Sequence, residues 1–415
     1  MKREELPLRG LRVVDFTLFW AGPLPSAIFA DLGAEVVKVE SIQHLDPFRA
    51  YGTPADPTKE KNWERSPLFN ALNRNKLGVT LDLTVEDGRR LFRELVGVSD
   101  VVLQNYSPRV LPQLELGWQR LAAVNPKIVL TSVSGFGQDG PWRDYVSFAA
   151  IGEALSGVSS LTGYEGEGPV VHGVGLSDPY AGLVAAFTTL AAVHSARRTG
   201  KGTFIDATQL ESTIPFLADA FLDWTLNGRR REATTNDHPS SAPHGAFPAL
   251  GDDQWITVSV ATEREWTALV DVLGSPAWTR EPRFATPLER WRNRRVLCAN
   301  LAEWTRTIDK NEAAAILQAR GVPAAPVRSP AEQIADPGHR ASGFFQEVEH
   351  PLAGKLPYSS FPARIDGEYP PIVRVGPRLG EDNDYVLGTI LGRDEREIAR
   401  LKAAQVIGTE PATAR

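Results

Sequence analysis

The strongest constraint on this chain lies in its first forty residues. LRVVDF at 11–16 is a short run of apolar, β-branched side chains and reads as a buried strand. A loop containing glycine and proline follows, then PLPSAIFADLG (23–33), a helical run stopped at Gly33, and then AEVVKVE (34–40), a second strand. Strand, helix and strand within thirty residues predict a parallel pair joined by a right-handed crossover.

The pattern continues with strand candidates GVTLDL (78–83), DVVLQN (100–105) and KIVLTSV (127–133), interleaved with helical EDGRRLFRELV (86–96) and LGWQRLAAVN (116–125). Nearly unbroken apolar strands of this kind are covered by helices on both faces. Residues 177–197 form a long Ala-rich helix with Pro179 in its first turn, where proline is tolerated, so Asp178 stands at a helix start. TGKGTFIDATQLE (199–211) reads as a turn, a short strand and another helix start. The polar, proline-bearing stretch from about 229 to 246 reads as a boundary or a long functional loop. ITVSV (256–260), EWTALVDVLG (265–274), AEWTRTIDKNEAAAILQARG (302–321) and VPAAPV (322–327) predict a second, smaller α/β unit, and DEREIARLKAAQV (394–406) a final charged helix. The 415 residues contain 31 prolines and 35 glycines, an excess that calls for many turns or long ordered connections.

Several function classes drop out. A net charge of −6 disfavours non-specific nucleic-acid binding, which needs phosphate neutralisation. A single cysteine, Cys298, leaves no intrachain disulfide and no thiolate cluster, so a reducing, cytoplasmic setting is expected. The N-terminal MKREELPLRGLRVVDF lacks a secretory cleavage pattern, and no 18-residue apolar run predicts a membrane span. The seven histidines show no HExxH or clustered spacing, so no metal site is expected. GxSxG is absent. The loop TLFWAGPLP (17–25) has one glycine and no GxGxxG, which argues against a nicotinamide or flavin dinucleotide.

The remaining candidate positions each have two readings. Phe19 and Trp20 are either core or a ligand-facing wall. Asn73, Arg74, Asn75 and Lys76 in NALNRNKLGV are either a solvated face or a phosphate clamp. SGFGQDGPW (134–142) gives tight turns at the carboxyl end of a strand, where ligands gather in open α/β sheets. Asp178 in GVGLSDP is either a helix cap or a nucleophilic carboxylate.

LRVVDFTLFWAGPLPSAIFADLGAEVVKVE, NRNKLGVTLDL, DVVLQN, NPKIVLTSVSGFGQDGPW, SDPYAG, RRTGKGTFIDATQLE, SSAPHGAFPALGDDQWITVSV and GVPAAPV, in this order, resemble the family III CoA-transferases. That family includes formyl-CoA transferase and carnitine CoA-transferase and is related to the 2-methylacyl-CoA racemases. The likeness spans nearly the whole chain. It implies a Rossmann-like large domain, a smaller α/β domain and an interlocked-ring homodimer. Residues 1–200 and 331–415 would then build the large CoA-binding domain, 201–225 a linker and 226–330 the small domain.

The resemblance further implies CoA transfer from an acyl-CoA to a carboxylic acid through aspartyl anhydride and aspartyl-CoA thioester intermediates. Asp178 matches the nucleophile's segment. The CoA moiety is expected at Phe19, Trp20, Ala21, Asn73, Lys76, Asn105 and Tyr106, with Lys38, Arg49 and Arg109 toward phosphate or adenine. Gly135, Phe136 and Gly137 would border the thioester. CoA and its thioesters are substrates here, with no tightly bound cofactor. The chain has HPSSAPHGAF where formyl-CoA transferase carries four consecutive glycines, and Leu18 and Trp20 where it has His and Gln, which points away from formyl-CoA and oxalate. It has DYVSFAA where racemases carry a His-Asp pair, which points away from racemase chemistry. The alternatives are that racemase or isomerase activity, or a non-catalytic subunit of a heteromeric transferase.

Overall fold

In the computed structural model, which describes residues 2–50 and 60–412, the first apolar run forms β1 (Arg12–Phe16). It is followed by β2 (Glu35–Glu40), β3 (Leu77–Thr80), β4 (Val101–Gln104), β5 (Val129–Ser134) and β6 (Thr203–Thr208). These six strands make one sheet in the order β3-β2-β1-β4-β5-β6, every neighbouring pair parallel. Successive strand residues feed opposite faces. Val14, Val37, Val102 and Leu130 join one core with Leu91 and Leu95, while Val13, Val36, Val101 and Val129 join another with Phe29 and Val193. The strand order turns back between β1 and β4, so their carboxyl-end loops part and leave a crevice.

The end of the chain returns to this sheet. Asp382 accepts the Gly78 N–H at 2.7 Å and Asn383 the Thr80 N–H at 2.9 Å, so side chains satisfy donors of the edge strand β3. Val386, Leu387, Leu401 and Ile407 enter the first core.

The described residues fall into two compact units. The larger comprises those up to Ser159, Val171–Arg230 and those from Pro337 onward; the smaller comprises Ser160–Val170 and Arg231–Asp336. Residues 201–225, anticipated as a linker, contain β6, which pairs with β5 at six positions, and the helix Ala218–Asn227 begins within them. The alternation of TFIDAT already spells a strand, and its pairing draws it into the large unit. In the smaller unit, antiparallel β7 (His244–Pro248), β8 (Trp255–Ser259) and β9 (Ala324–Pro326) pack with helices Glu263–Val272, Arg294–Thr305 and Lys310–Ala319 around Phe247, Ile256, Leu269, Phe284, Leu297 and Leu317. An antiparallel hairpin, β10 (Phe345–His350) and β11 (Gly354–Ser359), belongs to the larger unit. No described helix is long and apolar enough to cross a membrane.

Seven charged side chains lie inside the larger unit beside β1 and β2: Asp15, Lys38, Glu40, Asp46, Arg49, Glu64 and Lys76, none more than 5% exposed. Lys76 Nζ meets Asp15 Oδ2 at 2.9 Å, and Lys38 Nζ meets Asp46 Oδ2 at 2.9 Å. Arg49 grips Glu40 with two hydrogen bonds of 2.8 and 2.7 Å and Glu64 with one of 2.7 Å. Burial pushes the Asp15 carboxyl up, but the Lys76 and Lys38 ammonium groups outweigh it and hold it below its ordinary value. Burial likewise depresses Lys76, to about 8, against the pull of Asp15. Removing one partner of such a pair leaves an uncompensated buried charge, at a cost of about 3–5 kcal/mol. Lys76→Met is therefore expected to lower stability by about that amount, measured as a drop in the urea midpoint. The double variant Asp15→Asn/Lys76→Met should lose less than the two single losses added together.

Candidate active site

The site begins where β1 ends. The loop Thr17–Gly22 turns through Phe19, whose φ of 60° is left-handed, and its backbone is tied to the loop after β4. Asn105 accepts the Leu18 N–H at 2.7 Å and donates to the Leu18 carbonyl at 2.8 Å, a reciprocal clasp across the crevice. Asp46 accepts N–H groups of Phe19 at 3.2 Å and Phe48 at 3.0 Å, so the buried ion network also holds this loop. Gly22 is required by proximity: a Cβ there would stand 2.5 Å from Thr17 Cβ and 2.7 Å from Asn105 Cγ.

The opposite wall comes from the end of β5 and the start of the helix Ser177–Thr199. Gly135 lies so close to Ser147 that an added Cβ would approach its Cβ to 2.2 Å. Asp178 is the second residue of the 23-residue helix, and its Oδ1 receives the Gln209 side-chain N–H at 2.5 Å. Behind it, Glu153 is fully buried on the helix Ala149–Ser156. Its carboxylate accepts the Leu176 N–H at 2.6 Å and the His172 N–H at 3.0 Å, and faces His172 Nδ1 at 3.2 Å. Glu153 thereby fixes the glycine-bearing turn that delivers Asp178. Burial, with the Glu153 charge behind it, raises the Asp178 carboxyl to about 6. Asp178 thus remains mostly ionised at neutral pH while being far more basic than an ordinary aspartate.

These walls enclose a cavity of about 610 Å³ within the larger unit. Of the residues anticipated from the sequence, Phe19, Trp20, Ala21, Asn105, Gly135 and Asp178 line it together. Phe136 sits beside it in an edge-to-face cluster with Trp142 and Tyr145, centroids 6.0 Å away in each case, and Gly137 turns the chain with a φ of +91°. Tyr106 stacks on Phe16 at 4.4 Å, and burial raises its phenol. Arg109 is exposed. Lys38, Arg49 and Lys76, anticipated at phosphate or adenine, are the buried cations described above, and Asn73 is buried with them, 2.9 Å from Lys76 Nζ. Each cation's charge is already matched by a carboxylate inside the protein.

Sequence reasoning did not single out Glu153, His172 or Gln209. A lone carboxylate in the apolar run AAIGEALSG was a legible signal for Glu153; the approach of Gln209 to Asp178 spans 31 positions and was not. Among the described residues no group of three or more His, Cys, Asp or Glu side chains converges as a metal site requires. The smaller unit has its own cavity of about 590 Å³, where His244 Nδ1 and Ser259 Oγ are 2.9 Å apart as a cross-strand pair. None of the anticipated site residues lines it.

A carboxylate of raised basicity, oriented by an amide and facing a cavity at the sheet's switch point, is equipped to attack an acyl carbon. Comparison with known proteins narrows that chemistry. The family model described as CoA-transferase family III matches residues 8–383. The chain is 32% identical over 406 residues to succinyl-CoA–D-citramalate CoA-transferase of Chloroflexus aurantiacus, covering 98% of this chain and 99% of that protein. It is 31% identical over 406 residues to a succinyl-CoA–L-malate CoA-transferase alpha subunit from Chloroflexus aurantiacus, covering 98% and 94%. The crystal structure of a CAIB/BAIF family protein from Brucella suis superposes with a TM-score of 0.84 at 30% identity, covering 93% of this chain and 99% of that one. The α/β architecture and the full-length match agree, and the chain belongs to CoA-transferase family III.

Proposed function

We propose that this transferase uses Asp178 as a covalent nucleophile to carry CoA from an acyl-CoA donor to a carboxylic acid acceptor. The observation that supports this best is the Asp178 carboxylate itself: half-buried, raised to about 6, held by Gln209 and facing the cavity. Asp178 attacks the donor thioester carbon, the C–S bond breaks and CoA thiolate departs, leaving a mixed anhydride. The thiolate attacks the aspartyl carbonyl of that anhydride, the donor acid leaves as its carboxylate, and an aspartyl-CoA thioester remains. The acceptor carboxylate then attacks this thioester and expels the thiolate again. Attack of the thiolate on the acceptor acyl carbon yields the new thioester and returns Asp178 as carboxylate. No proton or water is consumed, and the thioester's free energy is retained.

Each neighbour has a part in this reading. Gln209 orients the carboxylate, and Glu153 keeps it basic and holds the turn before it. The backbone N–H groups of cavity-lining Gly135 and Gly173 are the candidates for the developing oxyanion. Phe19, Trp20, Ala21 and Asn105 would flank the pantetheine and thioester end, with Tyr106, Gly135, Phe136 and Gly137 beside it and Arg109 toward solvent and phosphate. Lys38, Arg49, Asn73 and Lys76 would act through the loop they support, since their polar groups are committed internally.

Self-association as an interlocked homodimer is part of the same proposal. It is supported by the large side chains left exposed on two helices, Leu183 and Phe187 on one and Leu222, Trp224 and Leu226 on the other. The alpha-subunit relative supports a second reading, in which the chain needs a different partner chain for activity. Turnover by the purified chain alone would decide for the first.

Asp178→Ala should lower transfer by at least about 10³-fold with folding intact by circular dichroism, and hydroxylamine added during turnover should label Asp178 in peptide maps of the wild type. Wild-type kcat/KM should fall as pH drops through about 6, where the nucleophile protonates, and level off above it. Glu153→Gln removes the like charge that raises Asp178, so the acid limb of that profile should move to lower pH; an unmoved limb would restrict Glu153 to packing.

A further inference from the structure

The cavity beside Asp178 is lined largely by aromatic and aliphatic side chains. Phe19 meets Phe48 edge-to-face at 5.6 Å and Phe148 edge-to-face at 5.9 Å, and Trp20, Leu68 and Val174 extend that wall. No lysine or arginine is among the described residues lining it. His172, which also lines it, turns its Nδ1 toward Glu153 at 3.2 Å. Asp178 and Glu153 therefore make the local field negative, and the nearest buried cations are committed to their own carboxylates.

From this we infer that the acids exchanged are monocarboxylates with an apolar aromatic or branched aliphatic body, rather than the dicarboxylates in the names of the relatives above. This rests on the transferase reading. The reacting carboxylate is neutralised as it becomes an acyl group, so one charge on the acid is accommodated by the chemistry. A second carboxylate keeps its charge throughout and would face apolar side chains and two like charges, with no described cation to pair with. An apolar body instead gains contact with Phe19, Phe48 and Phe148 in both the anhydride and the thioester stages. Selectivity then comes from repulsion of the wrong acid as much as from attraction of the right one.

The test is a donor–acceptor matrix on the purified full chain. The acids phenylacetate, isovalerate, succinate, glutarate and malate are paired in all combinations with phenylacetyl-CoA, isovaleryl-CoA and succinyl-CoA, and each CoA ester is quantified by mass spectrometry. Pairs of two apolar monocarboxylates should exceed every pair containing a dicarboxylate by at least about tenfold in kcat/KM. Equal or faster dicarboxylate exchange would overturn the inference while leaving the transferase reading intact. No exchange in any pair would overturn this inference, and the presence or absence of the hydroxylamine label at Asp178 with these donors would tell whether the transferase reading falls with it. In Phe148→Arg, competition between phenylacetate and glutarate should shift the product ratio several-fold toward glutaryl-CoA, a ratio independent of how much enzyme is folded. An unshifted ratio would mean that the aromatic wall does not select the acid.

Discussion

The loop that opens the site depends on charges buried beneath it. Asp15 and Lys38 are register partners on β1 and β2, and Lys76 and Asp46 close the set from the segment before β3 and the loop after β2. Lys38 also donates to the Thr17 carbonyl at 2.5 Å, and Asp46 takes the Phe19 N–H, so the same ions that cross the sheet set the backbone of Thr17–Gly22. Desolvating such groups costs several kcal/mol each, and the protein recovers it only because every ion has opposite charge and further donors or acceptors in place. The network is therefore exacting about geometry, which suits a loop that must present Phe19 and Trp20 in one arrangement.

The environment of Asp178 works on the opposite electrostatic principle. Here burial and a like charge act together, with no cation among the described residues to compensate, so the carboxyl is raised where Asp15 is lowered. The N-terminus of a long helix and the Gln209 amide keep the ionised form accessible despite that burial. Two aspartates in one sheet-and-helix unit thus serve different ends. Asp15 is a structural counter-ion, and Asp178 is left more basic than an ordinary aspartate.

Most of the larger unit was legible in the chain. The runs around Val13, Val36, Val101 and Val129 carry the apolar, β-branched signature of buried parallel strands, and all became neighbours in one sheet. Asp178 was legible as a helix-start carboxylate. The cations were legible only as charges: Lys38, Arg49 and Lys76 look like phosphate ligands in one dimension because nothing there shows that Asp46, Glu40 and Asp15 face them. The strand Thr203–Thr208 was recognised as a strand but not as part of the sheet, since membership is decided by pairing with β5.

Local pattern, by itself, determined most element types and placed the Asp178 carboxylate at a helix start, because periodicity and backbone sterics act over a few residues. Only the tertiary structure decided which charges are paired and which stand alone. It brought Gln209 across 31 positions to Asp178, set Glu153 behind it, and gathered Phe19, Phe48 and Phe148 into a single wall. Charge and basicity are properties of surroundings, and surroundings are assembled from residues far apart in the chain.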